Sequence, residues 1–207
     1  MQSRKKGGII SVRYVTNPKS YLTVVNKTWR LAQNYLPANL QVPSIPFASS
    51  SPPAKKLLRA RAASALQKMQ TAAKQQDLQL LGVSGYRSYY RQQQIYQTQL
   101  KSKGKEKADK ISAQPGHSEH QTGLAIDISS PEINCQLSEE FAATKLGRWL
   151  AKYSFKFGFI LRYPAGKESI TGYQYEPWHF RYVGFNHAQE IFNNDLTLEE
   201  YRIVTLE

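Results

Sequence analysis

The stretch "QPGHSEHQTGLAIDIS" at residues 114–129 places two different kinds of side chain on the two sides of one predicted strand. Large apolar residues alternate with two very small residues and a carboxylate, as expected for period two. The apolar side is Leu124, Ile126 and Ile128, and the other side is Gly123, Ala125 and Asp127. A strand face without bulk leaves room for a ligand above it. We therefore predict a site on this face, close to His117 and His120, which come just before the strand.

The composition is typical of one globular core. The chain has 207 residues, of which 41% are hydrophobic, and no apolar run approaches the roughly 20 residues that a membrane-spanning helix needs. The basic start has no long apolar segment and no small-residue cleavage site, so any signal or anchor is expected outside this sequence. We predict a polar, proline-punctuated extension at residues 1–45 and one folded domain at residues 46–207.

The net charge of +13 predicts attraction to a polyanion. Lysine and arginine are spread over several segments, and no helix-turn-helix, zinc-finger or RNA-recognition signature accompanies them. Charge alone does not choose between nucleic acid and an anionic polymer of a cell envelope. Because no element for reading bases is present, we do not expect nucleic acid as a partner.

Histidine and cysteine, the side chains that bind transition metals through nitrogen or sulfur, are few in this chain. The single cysteine, Cys135, excludes an internal disulfide and a cysteine-cluster site, and its neighbours offer no base that would activate it as a nucleophile. The chain has four histidines. Catalytic zinc commonly takes three nitrogen or oxygen ligands and leaves a fourth position for water. The four histidines and the carboxylates near them are therefore the candidate ligands.

A second predicted strand carries one of these histidines. In "YEPWHFRYVG", at residues 175–184, aromatic residues alternate with a histidine and an arginine. The aromatic face is Trp178, Phe180 and Tyr182, and the opposite face is His179 and Arg181. If that opposite face lies beside the small-residue face of the first strand, His120, Asp127 and His179 converge. An aromatic strand with one hydrogen-bonded histidine would give the same pattern, and these residues alone leave both interpretations open.

Glu176 precedes His179 by three residues, with Pro177 between them. In a regular strand the two side chains would point to opposite faces. Pro177 cannot continue the hydrogen-bond ladder, so it favours a bend there. That bend could bring the Glu176 carboxylate over a metal held by His179, where a base is needed to generate hydroxide.

The remaining pattern mixes helices and strands without strict βαβ alternation. This favours an α+β fold with a small, mainly antiparallel sheet and flanking helices. We predict helices at Ala54–Gln75 and at residues 88–104, 137–157 and 184–194, a last helix that begins with a capping box at Thr197–Glu200, and strands at Tyr21–Val25 and at residues 78–84 and 157–163. The basic residues 101–110 are expected to form a solvated helix end and loop. His187 is expected on a helix face, and His117 in a loop near the site.

Three motifs resemble those of one family. "SGYRSYYRQQ" at residues 84–93, "PGHSEHQTGLAIDI" at 115–128 and "YEPWHFRYVG" at 175–184 occur in the order found in VanY-type D-alanyl-D-alanine carboxypeptidases, which are zinc peptidases that trim peptidoglycan stem peptides. The pattern Ser-x-His-x-x-Gly-x-Ala-x-Asp is matched in full at residues 118–127. The resemblance covers about residues 45–207, and three spaced motifs make it highly specific.

The resemblance implies a fold and a set of roles. The fold is the one that these carboxypeptidases share with lysostaphin-type peptidases and the Hedgehog signalling domain. The implied zinc ligands are His120, Asp127 and His179, the implied base is Glu176, and the implied substrate-binding residues are Arg87, Gln92 and Ser118. A planar guanidinium at Arg87 would suit both a substrate carboxylate and an oxyanion.

The implied function is removal of the terminal D-alanine from peptidoglycan stem peptides or their precursors. An L,D-carboxypeptidase acting on tetrapeptide stems shares all of these motifs, so the sequence does not separate the two. A non-catalytic module that binds the cell wall and keeps its zinc is the alternative from another class, and the presence of Glu176 argues against it. We expect a monomer that acts outside a bacterial cell or in its envelope, where anionic wall polymers would be further partners.

Overall fold

The computed structural model describes residues 12–48 and 51–206, so residues 1–11 of the predicted extension lie outside it. Its main sheet has four strands in the order β5–β6–β8–β7, and every neighbouring pair is antiparallel. These strands are β5 (Leu81–Ser84), β6 (Ala125–Ser129), β7 (Phe159–Leu161) and β8 (His179–Tyr182). The predicted α+β fold with a small antiparallel sheet is confirmed.

Helices and two short strand pairs surround this sheet. The helices are α1 (Ala60–Lys74), α2 (Tyr89–Ile111), α3 (Lys145–Tyr153), α4 (Glu168–Thr171), α5 (Phe185–Asn193) and α6 (Leu198–Leu206). The short strands are β1 (Arg13–Tyr14), which runs parallel to β2 (Trp29–Arg30), and β3 (Leu40–Gln41), which runs antiparallel to β4 (Leu58–Arg59). Within the described ranges, no helix combines the length and the apolar character that crossing a membrane requires.

The two faces of β6 separate the core from a polar side, as its alternation predicts. Leu124, Ile126 and Ile128 are fully buried in the main apolar core, where they join residues of α1 such as Leu66 and Met69. On the other face, the small and acidic residues of β6 lie opposite residues of β8. The pairs are Ala125 with Arg181 and Asp127 with His179.

Two predictions for the first 60 residues are wrong, one of a strand and one of the start of a helix. Tyr21–Val25 is not a strand, because the carbonyl groups of Tyr21 and Thr23 accept hydrogen bonds from the buried Arg181 side chain rather than from a neighbouring strand. The helix predicted from Ala54 begins only at Ala60, since Leu58 and Arg59 pair with β3. Contacts with residues distant in sequence therefore determine the conformation of both segments.

The helices further along the chain also differ from their predicted lengths. Helix α2 begins after Ser88, whose side chain accepts a hydrogen bond from the Arg91 amide. It is interrupted at Gly104, where the helix end was predicted and φ is +76°, and a second helical stretch follows to Ile111. The expected loop at residues 101–110 is therefore helical. The helix predicted over residues 137–157 is broken into α3 and two 3₁₀ turns, Glu139–Ala143 and Ser154–Phe157. The capping box at the start of α6 is confirmed by two reciprocal hydrogen bonds between Thr197 and Glu200.

The described part of the N-terminal segment packs against the loop that leads into β6. Leu31 is 1% exposed, and its amide donates to the Gly116 carbonyl at 2.9 Å. The Gln121 side chain donates to the Ala32 carbonyl at 2.9 Å. His117 Nδ1 lies 2.7 Å from the Asn26 carbonyl oxygen. These contacts join the segment to residues 116–121, so we expect it to contribute to the stability of the domain.

We predict that Leu31→Ala destabilises the protein by about 2–5 kcal/mol, because it leaves a cavity where a buried side chain packed. Leu36→Ala is the matched control, since Leu36 lies in the same segment but is 67% exposed, and it should change the stability by less than about 0.5 kcal/mol. Urea unfolding of both variants measures the difference. Equal effects of the two substitutions would show that the segment does not contribute to the folded core.

Candidate active site

Three buried side chains converge on the polar side of β6 and β8. His120, Asp127 and His179 each offer one ligand atom, and these atoms lie within 4.8 Å of one another. The His120 Nε2 atom is 3.2 Å from Asp127 Oδ2, and the His179 Nδ1 atom is 3.0 Å from Asp127 Oδ1. The register of β6 and β8 places Asp127 directly opposite His179. The sequence therefore identified three residues that the fold brings together.

His120 reaches this point from a 3₁₀ turn at Glu119–Thr122. Its Nδ1 atom lies 2.6 Å from the Gly85 carbonyl oxygen, which leaves Nε2 facing Asp127. Gly123 ends the turn with a φ of +67°, a conformation that residues with a Cβ rarely adopt. That reversal leads the chain directly into β6, so one short segment carries both His120 and Asp127.

The donor set fits a zinc ion. Two imidazole nitrogens and a carboxylate oxygen are the ligands that zinc commonly takes in catalytic sites, where a fourth position stays open to water. Each histidine presents one ring nitrogen to Asp127, while its other ring nitrogen faces a second oxygen atom, from Gly85 or from Glu119. Such second contacts are typical of histidines that bind metals, because they fix the ring orientation.

Glu176 lies beside this group of ligands because the chain turns at Pro177. The His179 amide donates to the Glu176 carbonyl at 3.1 Å, which closes the turn, and Glu176 Oε2 is 3.7 Å from His179 Nδ1. Burial raises the pKa of Glu176 to about 7, although the nearby His179 opposes this shift. A carboxyl group whose pKa lies near neutrality can both accept and return a proton.

Arg87 stands on the wall of the site, in the segment between β5 and α2. Its guanidinium donates to Gln92 Oε1 at 2.9 Å and to Ser84 Oγ at 3.1 Å, and it lies 3.9 Å from Asp127 Oδ2. Gln92 is itself held by the Ala113 carbonyl, to which its amide donates at 2.6 Å. Gln92 thus holds Arg87 in place from the first turns of α2.

These side chains surround one cavity of about 240 Å³. All seven residues proposed from the sequence line it: Arg87, Gln92, Ser118, His120, Asp127, Glu176 and His179. His117 lines it as well. His187 lies elsewhere, with its Nδ1 atom 2.8 Å from the Tyr201 hydroxyl on α6.

The cavity also contains residues that the sequence analysis did not name. Tyr163 packs against His179 with ring centroids 4.9 Å apart, and Tyr173 donates to the His117 carbonyl at 3.3 Å. Glu119 lies behind His179; although burial raises its pKa, Arg162 and Arg181 hold it well below the usual range. The only signal for Glu119 was its place inside the matched motif, and the tyrosines come from segments where no motif was recognised.

Comparisons with known proteins agree with this geometry. A sequence model described as VanY, D-alanyl-D-alanine carboxypeptidase, matches residues 55–185. The YodJ protein of Bacillus subtilis (strain 168) is 48% identical over 187 residues, which span 90% of this chain and 68% of that protein.

Two solved structures are similar over nearly the same range. The LdcB LD-carboxypeptidase, whose structure addresses peptidoglycan recognition, has a TM-score of 0.89 and 46% identity, and the match covers 94% of this chain and 91% of that one. A vancomycin-resistance D,D-pentapeptidase VanY, solved as a mutant in complex with Zn(II), has a TM-score of 0.72 and 34% identity over 88% of this chain and 98% of that one. Together with the family match over residues 55–185, these similarities show that the chain belongs to the VanY family of D-alanyl-D-alanine carboxypeptidases.

Proposed function

We propose that this protein is a zinc metallocarboxypeptidase that removes the terminal D-alanine from peptidoglycan stem peptides or their precursors. The observation that carries the proposal is the convergence of His120, Asp127 and His179 in one cavity with a carboxylate and a guanidinium beside them. The VanY structure in complex with Zn(II) supports the choice of metal.

In this proposal, different residues of the chain have different roles in peptide hydrolysis. His120, Asp127 and His179 hold the metal, which when bound would activate water and polarise the scissile carbonyl as a Lewis acid. Glu176 takes a proton from the attacking water and returns it to the leaving amine. Glu176 is not one of the three residues whose ligand atoms lie within 4.8 Å of one another, and its Oε2 atom is 3.7 Å from His179 Nδ1, so we assign it the role of base beside the ligands.

Arg87 and Ser118 bind the substrate. The guanidinium of Arg87 is held on the cavity wall by Gln92 and Ser84, so it can meet a carboxylate or a developing oxyanion without first being ordered. Ser118 is buried in the cavity lining, where its hydroxyl offers both a donor and an acceptor. Gln92 acts through Arg87.

A second candidate is an L,D-carboxypeptidase, favoured by the 46% identity to LdcB over 94% of this chain. Both candidates release a terminal D-alanine and differ in the residue that precedes it. To distinguish the two candidates, the purified protein is incubated with a pentapeptide ending in D-Ala-D-Ala and with a tetrapeptide ending in L-Lys-D-Ala. The products are measured by mass spectrometry. Release from the pentapeptide supports the first candidate, and release from the tetrapeptide alone supports the second. Release from neither would leave a wall-binding module without activity.

A site of action in the bacterial cell envelope follows from this substrate, and we propose anionic wall polymers as an additional partner. Exposed lysines of α2, including Lys103 and Lys107, line a groove that shares Ile111 with the active-site cavity. Because exposed charges are screened by salt, binding to purified cell walls should fall steeply as salt rises, whereas hydrolysis of a short peptide should depend much less on salt. Sedimentation with walls at two salt concentrations measures this, and unchanged binding would contradict it.

The metal assignment predicts one zinc per chain. The double variant His120→Ala/His179→Ala should lose that zinc, because only Asp127 of the three ligands remains. His187→Ala is the matched control and should keep the metal, since His187 lies outside the cavity. Elemental analysis of the purified proteins measures the content. Full occupancy in the double variant would contradict the assignment.

Glu176→Gln should keep zinc and the fold, because the substitution preserves shape and removes only the base. Its kcat should fall by about two to four powers of ten, the usual contribution of general acid–base catalysis. Elemental analysis and steady-state kinetics on the same preparation test both statements. Loss of zinc would make Glu176 a ligand, and retained turnover would place the base at another residue.

Arg87→Ala should leave zinc bound and lower kcat/KM by about a hundredfold or more, because a preorganised donor to the developing charge is lost. Arg87→Lys should restore little, since a point charge does not reproduce the paired contacts of a guanidinium. Arg91→Ala, which removes an exposed arginine from the same region of the chain, is the control and should behave like the unmodified protein. Equal kinetics for Arg87→Ala and Arg91→Ala would make Arg87 an ordinary structural residue.

A further inference from the structure

A buried carboxylate that the proposed reaction does not use lies behind one of the metal ligands. Glu119 is 1% exposed, and its Oε2 atom is 3.5 Å from His179 Nε2. Among the described residues, neither of these two atoms has a hydrogen-bond partner at closer range. A buried carboxylate oxygen without a hydrogen bond costs folding free energy. Its position opposite the imidazole therefore needs a physical explanation.

The two ring nitrogens of His179 face different groups. Its Nδ1 atom is 3.0 Å from Asp127, and its Nε2 atom faces Glu119. A neutral imidazole carries one proton, and the nitrogen that binds a metal must be the one without it. Binding through Nδ1 therefore puts the proton on Nε2, where the Glu119 carboxylate is placed to accept it.

Glu119 is itself fixed by two buried arginines. Its Oε1 atom accepts from Arg162 Nε at 2.7 Å and from Arg181 Nη1 at 2.6 Å, and all three side chains are 0% exposed. Because Oε1 is taken by the arginines, Oε2 remains for His179. The carboxylate therefore cannot rotate away from the imidazole without breaking two charge-assisted hydrogen bonds.

The arginines connect this carboxylate to both ends of the described chain. Arg162 donates to both carboxylate oxygens of Glu199 on α6, at 2.7 and 2.6 Å. Arg181 Nη2 donates to the carbonyl oxygens of Tyr21 and Thr23 at 2.9 and 2.8 Å. These acceptors all lie outside residues 55–185, the range that the family model matches. Segments beyond the matched range thus support the surroundings of the metal site.

We propose that Glu119 is a positioning residue, which fixes His179 with Nδ1 toward the metal and with its proton on Nε2. Arg162 and Arg181 hold Glu119 in that position and couple it to α6 and to the N-terminal segment. The inference rests on the zinc site of the proposed function, but it concerns metal binding rather than substrate.

The experiment compares variants that separate positioning from folding. Glu119→Gln removes the charge but leaves Arg181 without a carboxylate partner, so it can destabilise the fold. The double variant Glu119→Gln/Arg181→Gln restores the charge balance. Arg181→Gln alone removes one of the two donors to Glu119 Oε1 but keeps the carboxylate, which Arg162 still holds, so it is the matched background for the double variant. Glu190→Gln is a second control, because it removes a carboxylate that accepts a hydrogen bond from Tyr201 outside this network. It shows the effect of losing a hydrogen-bonded carboxylate elsewhere in the protein.

Zinc affinity is measured by competition with a chromophoric chelator, and folding by circular dichroism. We expect zinc to bind about 10–100-fold more weakly to the Glu119→Gln/Arg181→Gln variant than to Arg181→Gln, because the contact that orients the ligand is lost. The Glu190→Gln variant should bind like the unmodified protein. In steady-state kinetics at saturating zinc, kcat should fall in the double variant while KM changes little.

Nitrogen-15 NMR of the zinc-loaded protein gives a readout that general destabilisation would not move. We expect Nδ1 of His179 to be the metal-bound nitrogen and its Nε2 proton to resonate downfield and exchange slowly, and we expect this protection to disappear in the double variant. Metal bound through Nε2 would overturn the inference. So would a folded double variant with the zinc affinity of Arg181→Gln.

The zinc-affinity and NMR measurements need no substrate, so the two proposals can fail separately. Glu119-dependent zinc binding in a protein without carboxypeptidase activity would support this inference and reject the proposed function. Carboxypeptidase activity with zinc binding independent of Glu119 would reject this inference alone.

Discussion

The pairing of Asp127 with His179 across β6 and β8 is the constraint on which the site depends. Antiparallel strands in this register place the two side chains side by side on one face, with Nδ1 and Oδ1 3.0 Å apart. A slip of either strand by one residue would turn its ligand into the apolar core and place that ligand's neighbours on the face of the site. Because the opposite face of β6 is fully buried, the same hydrophobic packing that stabilises the sheet also sets the register of the two proposed ligands.

Pairing of buried charges is the second constraint on this structure. Glu119, Arg162 and Arg181 are 0% exposed at their side chains, and removing any one of them would leave an uncompensated charge in a region of low dielectric. The structure satisfies them with one another, with Glu199 and with backbone carbonyls of the N-terminal segment. In the described residues, hydrogen bonds therefore link the site to the last helix and to the segment before the family match.

Local rules predicted the elements that depend on neighbours in sequence. The alternation in residues 123–128, the Thr197 capping box and the turn at Pro177 all appear in the structure as expected. The same rules failed where distant groups compete for the backbone. Tyr21–Val25 has the composition of a strand, but a buried arginine takes its carbonyl groups. Gly104 interrupts the helix as predicted, with a φ of +76°, but the loop expected after it is a second helical stretch that reaches Ile111.

The sequence by itself determined which residues could perform the chemistry, because it has only four histidines and two of them stand with Asp127 in recognisable motifs. It also determined the two faces of β6, since a period of two is a property of consecutive residues. Only the tertiary structure decided which ring nitrogen each histidine turns to Asp127, and that Glu119 lies behind His179. Those features depend on contacts between distant residues, such as His120 with Gly85, 35 positions apart, and Glu119 with Arg162, 43 positions apart, and no local pattern in the chain encodes them.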